Sequence, residues 1–449
     1  MDIQGKKISI IGAVRSGIGA AKLAMKFGAI PFVSDSSDRQ KLQQSILQIE
    51  SERIDYECGI HSEKVFDCDF IVTSPGIPTE SELLSKAKER KIKIISEVEF
   101  ASWFCKGKII SITGTNGKTT TTALMAHTLN ECGLKTYSAG NIGKAFSEIV
   151  LDVKEEEFVA LETSSFQLDF IDQFKPFFSI ILNITPDHLD RYQNRFENYI
   201  ASKIKISENQ DENDFSLFNA DDYNTYSTMK NKRVQKLSFS LKKEVPAGAC
   251  SKNGKMFFSW FGSTEEVCSV TDLFIKGEHN VANALAVLSI AKTLNLPNKK
   301  IRESFKSFKG VEHRIEFVRE LNGIEFYNDS KATNVDSVTV ALKSFNKPIY
   351  LILGGKDKGN NYDQIRDLVK QHVKKIYAIG ISAQKVKNYF AQIVETEIKE
   401  SLESCVITAR EEASPGSVLL LSPACASFDM FEDYEHRGRV FKEAVNRLS

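Results

Sequence analysis

Between an apolar run, Lys108-Ile109-Ile110-Ser111-Ile112-Thr113, and a helical stretch from about Lys118 to Cys132 stands the turn Gly114-Thr115-Asn116-Gly117-Lys118-Thr119-Thr120. A strand feeding a helix through a glycine turn is half of a βαβ unit, and such units build parallel sheets covered by helices. The turn also has a chemistry. Backbone N–H groups at a helix start form an anion nest, glycines let the backbone approach phosphate, a lysine neutralises phosphoryl oxygens, and a threonine hydroxyl reaches Mg²⁺. Gly114, Thr115, Asn116, Gly117, Lys118, Thr119 and Thr120 are therefore candidate phosphate ligands. The loop departs from G-x-x-x-x-G-K-[ST] in carrying Ile112 five positions before Gly117. A chance Gly-Lys-Thr is common, but here both flanking elements are in place.

The same alternation runs through the chain. Ile8–Ile11, Ile30–Val33 and Phe70–Val72 read as strands before residue 97, with a helix over about 17–27. Phe158–Leu161 and Phe178–Leu182 read as strands of the central part, and a helix returns over His279–Leu294. Residues 213–270 break into short alternating pieces and read as a small β-rich excursion. Pro348–Leu353, Ile376–Ile379 and Ser417–Leu421 give a third set of strands. The expectation is an α/β protein of three domains: 1–96 and 311–449 Rossmann-like, 97–310 of the P-loop ATPase type. A length of 449 residues requires several cores. Lys+Arg and Asp+Glu both number 59, so broad electrostatic binding to nucleic acid or anionic lipid is not expected. No apolar run reaches the ~20 residues of a membrane span, and the start does not read as a signal peptide. The eight cysteines include no C-x-x-C pair and read as reduced residues of a cytoplasmic protein.

Further candidates sit where strands end. Gly12, Gly17 and Gly19 with Asp35 suggest a nucleotide-binding turn, although Val14 stands where a dinucleotide fingerprint needs glycine, so a structural turn is an equal reading. Glu162 follows a strand and is a natural oxygen ligand for Mg²⁺. Thr185-Pro186-Asp187-His188 reads as a helix start with Thr as N-cap; a lone histidine there is more often a cap or surface residue. Lys203 lies seven, four and three residues after Phe196, Tyr199 and Ile200, on the inward stripe of a helix. Most lysines so placed reach back to water, but one near a phosphate loop can be functional with its amine pKa lowered. Asn328–Asn334, Gly354–Lys358 and Ser422–Asp429 read either as loops or as ligand-presenting turns.

Taken together these motifs resemble those of the Mur ligase family over essentially the whole chain. Gly114–Thr120, Gly140-Asn141-Ile142-Gly143, Leu161–Leu168, Asp187–Tyr192, Glu278–Ala284 and His313-Arg314 stand in the family's order. Asn328–Asn334 and Ser422–Ser427, with Arg437-Gly438, resemble the member that adds D-glutamate, and the D-N-P-R signature of the diamino-acid-adding member is absent.

The resemblance implies an ATP-dependent amide ligase working through an acyl phosphate, with ATP, a UDP-N-acetylmuramoyl-L-alanine nucleotide and D-glutamate as substrates. Two Mg²⁺ ions (or Mn²⁺) would be held by Thr119, Glu162, His188 and a carbamylated Lys203, and Lys118 would join them in catalysis. Asn280, Arg314, Asp329 and Lys331 would bind ATP with the glycine turn. Arg15, Ser16, Gly17, Asp35, Ser36, Ser74 and Gly76 would hold the UDP portion, with Asn141 and His188 near the muramoyl-alanine end. Thr333, Lys358, Ser427 and Phe428 would receive D-glutamate. A monomer is expected, with closure of the third domain onto the second as a required step. The rivals are a folylpolyglutamate synthase, a nucleotide switch that performs no ligation, and an NAD dehydrogenase, the last disfavoured by Val14.

Overall fold

The computed structural model describes residues 2–141, 143–229, 233–357 and 359–449, and among these twenty strands form three sheets. The first contains β1 (Lys7–Ile11), β2 (Ile30–Asp35), β3 (Asp55–Cys58), β4 (Phe70–Thr73) and β5 (Lys93–Ser96), in the order β3-β2-β1-β4-β5. All its pairings are parallel. Strands buried on both faces need continuous apolar runs rather than alternation, and Ile8-Ser9-Ile10-Ile11 is buried throughout.

The central sheet contains β6 (Lys108–Thr113), β7 (Thr136–Gly140), β8 (Phe158–Glu162), β9 (Phe178–Ile181), β10 (Phe215–Asn219), β11 (Gln235–Ser240), β12 (Ala247–Lys252), β13 (Lys255–Trp260) and β14 (Ser263–Ser269). Its order is β14-β13-β12-β11-β10-β9-β6-β8-β7. The β-rich stretch is thus built onto the central sheet instead of leaving it. β10 pairs in parallel with β9, so Phe215 lies beside Phe178 and Leu217 beside Ile180, and only β12–β13 and β13–β14 turn antiparallel. The third sheet holds β15 (Glu316–Leu321), β16 (Ile324–Asn328), β17 (Ile349–Gly354), β18 (Val373–Ile379), β19 (Glu395–Ile398) and β20 (Val418–Leu421), in the order β15-β16-β20-β17-β18-β19. It is parallel except for the β15–β16 hairpin.

The chain divides into two compact units. One runs to Asp272 and resumes over Val281–Lys306; the other comprises Leu273–Asn280 and Ser307–Ser449. Within the first, a single apolar cluster reaches from Ile8, Ile10 and Val33 through Phe100 and Phe146 to Val159 and Leu161, so the first two sheets share a core. The short helix Glu97–Ser102 joins them, capped by Ser96, whose Oγ accepts from Glu99 N at 3.3 Å. Glu99 is fully buried, and its carboxylate accepts N–H bonds from Asp172, Gln173 and Phe174 and from the Trp103 indole, at 2.7–3.1 Å. Each orphaned buried donor costs about 1–3 kcal/mol. Glu99→Ala is therefore expected to destabilise the first unit by roughly 3 kcal/mol or more, seen as a lower urea midpoint for that unit.

All eight cysteines are free thiols. No helix among the described residues is long and apolar enough to cross a membrane.

Candidate active site

The glycine turn lies where β6 meets the helix Lys118–Glu131, at the carboxyl ends of parallel strands, the edge at which α/β proteins bind ligands. Gly117 is the helix N-cap, left-handed at φ 85°, and offers no side-chain cap. A Cβ on Gly117 would fall 2.5 Å from Asn283 Oδ1, so both backbone shape and space demand glycine. Gly117→Ala is expected to cost about 2 kcal/mol or more, measurable as a drop in unfolding free energy.

Sequence reasoning passed over the residue that braces this turn. Asn183 accepts from Thr115 N through its backbone oxygen (2.9 Å) and from Asn116 N through Oδ1 (2.8 Å), and its Nδ2 donates to Asn116 O (3.0 Å). Thr115 Oγ1 donates to Thr185 O and accepts from Thr185 N, both at 3.0 Å. No sequence pattern marks it: Asn183 lies just beyond β9, and only the pairing of β9 with β6 brings it to the turn.

Two amines converge on the turn. Lys118 Nζ donates to Gly114 O and Thr115 O at 2.9 Å each, and Lys203 Nζ donates to the same Gly114 O at 2.9 Å. Lys203 lies on the helix Phe196–Ile204, only 1% exposed, with its amine over the Tyr199 ring. Burial, and then the charge of Lys118, pushes that amine far below the usual lysine range; Asp187, Asp169 and Glu162 pull weakly the other way. Thr119 Oγ1 is buried without a partner. Glu162 ends β8, 2% exposed, and accepts from Asn141 Nδ2 at 3.2 Å. Asn141 is held in place because Asn141 N donates to Glu162 O (2.9 Å) and Gly140 leaves no room for a Cβ against that oxygen.

The helix start expected at Thr185–His188 does not form. His188 instead caps a 3₁₀ turn, Leu189–Tyr192, in the left-handed region at φ 51°. With Thr115 and the Asp222 carboxylate binding the backbone of 184–185, the segment has no free N–H run with which to open an α-helix. The His188 side chain is half exposed, edge-on to Phe166 and 3.6 Å from the Asp187 carboxylate.

In the first sheet, Gly17 packs on Gly12 O, where a Cβ would approach to 1.8 Å. Asp35 receives N–H bonds from Ala13 and Ser37 at 2.8 Å. Burial pulls its carboxyl up, but these donors prevail and hold it below the usual range. Ser16 and Ser74 are partly buried, and Ser36 is exposed. Arg15 reaches Gly143 O from the first helix, and Arg191 donates to Pro75 O (3.0 Å) and Gly76 O while lying over Phe166. The turn Ser74–Gly76 is thereby tied to the His188 segment.

The second unit gathers its own candidates. Asn280 lies in the first turn of the helix Glu278–Thr293, its Nδ2 donating to Lys276 O (2.8 Å). Burial and Arg314 push His279 down to about 4. Asp329 is buried; its Oδ2 accepts from Ser422 Oγ (2.8 Å) and its Oδ1 from Ile315 N (3.2 Å). Lys331 Nζ lies over the Tyr434 ring, Thr333 is partly buried, Ser427 is 2% exposed and Phe428 is 66% exposed. Lys358 lies outside the described residues. Glu312, His313 and Glu316 are close enough to share a cation, but the Lys442 ammonium already bonds both glutamates.

Burial pushes Asp329 up to about 7, against the pull of Ser422 and Arg314. A carboxyl raised in the folded state keeps a proton that the unfolded chain has lost, so stability falls as pH rises from about 4 to about 7. Asp329→Asn is expected to flatten that slope in pH-dependent urea melts.

Three domain families match the chain: the MurD N-terminal domain over residues 8–83, the Mur ligase middle domain over 112–291 and the Mur ligase glutamate ligase domain over 313–425. The UDP-N-acetylmuramoylalanine–D-glutamate ligase of Christiangramia forsetii is 44% identical, aligned over 99% of this chain and all of its own length. The enzyme of that name from Koribacter versatilis is 42% identical over 100% of this chain and 99% of its own. Among solved structures, the UDP-N-acetylmuramate-alanine ligase MurC of Thermotoga maritima shares the fold, at TM-score 0.61 and 20% identity over 98% of this chain and 99% of that one. The chain belongs to the Mur ligase family, in the branch of the UDP-N-acetylmuramoylalanine–D-glutamate ligases.

Proposed function

We propose that this chain joins D-glutamate to UDP-N-acetylmuramoyl-L-alanine, converting ATP to ADP and phosphate, as a cytoplasmic step of peptidoglycan precursor synthesis. Full-length likeness to ligases of that name supports the substrates. The observation that carries the chemistry is the convergence of Lys118 and Lys203 on one carbonyl of a helix-capping glycine turn.

A carboxylate resists attack by an amine because its charge is delocalised and oxide is no leaving group. An oxygen of the alanine carboxylate therefore attacks the γ-phosphorus of ATP, ADP leaves, and an acyl phosphate results. The neutral amine of D-glutamate attacks the acyl carbon; the tetrahedral adduct expels phosphate, and the nitrogen loses its proton. Lys118 swings from Gly114 O and Thr115 O onto the transferring phosphoryl oxygens, where fixed charge contributes most. Asn141 and His188 orient the muramoyl-alanine end, while Arg15, Ser16, Gly17, Asp35, Ser36, Ser74 and Gly76 hold the UDP portion. Asn280, Arg314, Asp329 and Lys331 bind ATP. Thr333, Lys358, Ser427 and Phe428 take D-glutamate.

The donor set fits Mg²⁺, which prefers oxygen ligands: the partnerless Thr119 hydroxyl and the buried Glu162 carboxylate are both oxygen donors. His188 is the one nitrogen among them. When bound, Mg²⁺ would offset charge on the phosphoryl oxygens, with Thr119, Glu162 and His188 as the residues that would hold it. Lys203 joins the set as a carbamate: its neutral amine adds to the carbon of CO₂ and releases one proton, leaving an anionic oxygen donor. One chain supplies every residue named, consistent with a monomer, which sedimentation tests.

The deciding assay measures phosphate release from ATP with UDP-muramoyl-alanine and either D- or L-glutamate. Release with the D isomer and amide formation are expected. Release triggered by a folate instead, or none at all, would overturn the proposal.

A further inference from the structure

Two loops of the second unit follow neighbouring parallel strands: Asp329–Thr333 after β16 and Ser422–Ser427 after β20. One side chain ties them. Arg437, on the helix Tyr434–Arg447, is 1% exposed. Its Nε donates to Ser330 Oγ (2.9 Å), Nη2 to Ser330 O (2.7 Å) and Nη1 to Cys425 O (3.0 Å). The Ser330 hydroxyl donates in turn to Tyr434 O (2.7 Å), and Ser330 N donates to Asn328 Oδ1 (3.1 Å), so the fork, both loops and the helix form one closed network. Gly438 lets the helix approach: a Cβ there would lie 2.1 Å from His313 Nδ1.

All three acceptors are neutral oxygens. Burying a guanidinium on neutral partners is costly, and well-packed apolar side chains usually hold elements together at least as well. What the guanidinium adds is a rigid, planar fork that sets two loops at a fixed spacing, with its positive charge just behind them. Ser330 lies three residues before Thr333, and Cys425 two before Ser427.

We propose that Arg437 is a positioning residue of the amino-acid subsite. Its fork fixes the Asp329–Thr333 loop against the Cys425–Ser427 loop, so that Thr333 and Ser427 are set for the two carboxylates of D-glutamate. The inference rests on the functional reading above and deepens it.

The test is steady-state kinetics of wild type, R437A and R437K, varying D-glutamate and UDP-muramoyl-alanine separately. A displacement of about 1 Å at a positioning contact can lower rates ~10²-fold. R437A is therefore expected to raise KM for D-glutamate at least about tenfold while KM for the UDP nucleotide, bound by the other unit, stays within about twofold. Millimolar guanidinium should recover part of the loss by refilling the fork, and methylammonium should not. R437K, with one point charge and no fork, should resemble R437A, and it carries the test alone if R437A does not fold. Equal rises in both KM values, a fall in kcat with KM for D-glutamate unchanged, or a wild-type KM in R437K would overturn the proposal. Wild-type protein that ignores D-glutamate would overturn the functional reading instead.

Discussion

Lys203→Ala is expected to lower phosphate release by on the order of 10³ while leaving the protein folded. The amine is buried and shares Gly114 O with Lys118, which still satisfies that carbonyl once Lys203 is gone. Removing this buried neutral amine therefore orphans no acceptor and sacrifices little stability. What is lost is the anionic oxygen that a carbamate would present. The same account makes wild-type activity depend on dissolved CO₂, and carbon-13 bicarbonate should give a carbamate signal in wild type that Lys203→Ala lacks. Near-normal turnover in the variant would remove Lys203 from the chemistry.

Lys118→Met is expected to be comparably damaging, by about 10²–10³ in rate, since on the proposed chemistry it deletes the charge that serves the transferring phosphoryl group. It has a second effect of opposite origin. Burial first and then the charge of Lys118 lower the Lys203 amine, so without Lys118 one of the two influences that favour the nucleophilic, neutral form is gone. The two lysines should therefore couple: the double variant should lose much less than the product of the single losses. Strictly multiplicative losses in a double-mutant cycle would show that the shared carbonyl has no functional meaning.

Much of this was legible in the chain because parallel strands and their helices write strong local patterns. The glycine turn between strand and helix, β1, β6, β8 and the inward Lys203 all follow from apolar runs or helical spacing. The order of the strands did not. Residues 213–270 show alternation that says nothing of which edge they join, and only the pairing of Phe215 with Phe178 reveals that they extend the central sheet. The Thr185–His188 segment misled because Thr-Pro-Asp mimics a helix start; the hydrogen bonds that prevent one come from Thr115 and Asp222, distant in sequence. Asn183 and Asp222 were overlooked for the same reason. A lone Asn or Asp in a loop carries no pattern, and its partners appear only when β9 and β6 lie side by side. Arg437 belongs to a motif and lies four and eight residues before Phe441 and Val445, on the buried stripe of its helix, so its inward place is legible in the spacing; the loop oxygens it binds are not.

The seal made by Glu99 across the first two sheets has a consequence for which molecules can react. With Asp172–Phe174 clamped to the connecting helix and a common core beneath, the Gly12–Gly17 turn of the first sheet and the Gly114–Thr120 turn of the second are held like the fixed jaws of a caliper. On the proposed chemistry, an acid must then arrive on a tether of set reach, and selection among acyl donors becomes a measurement of length as much as of shape.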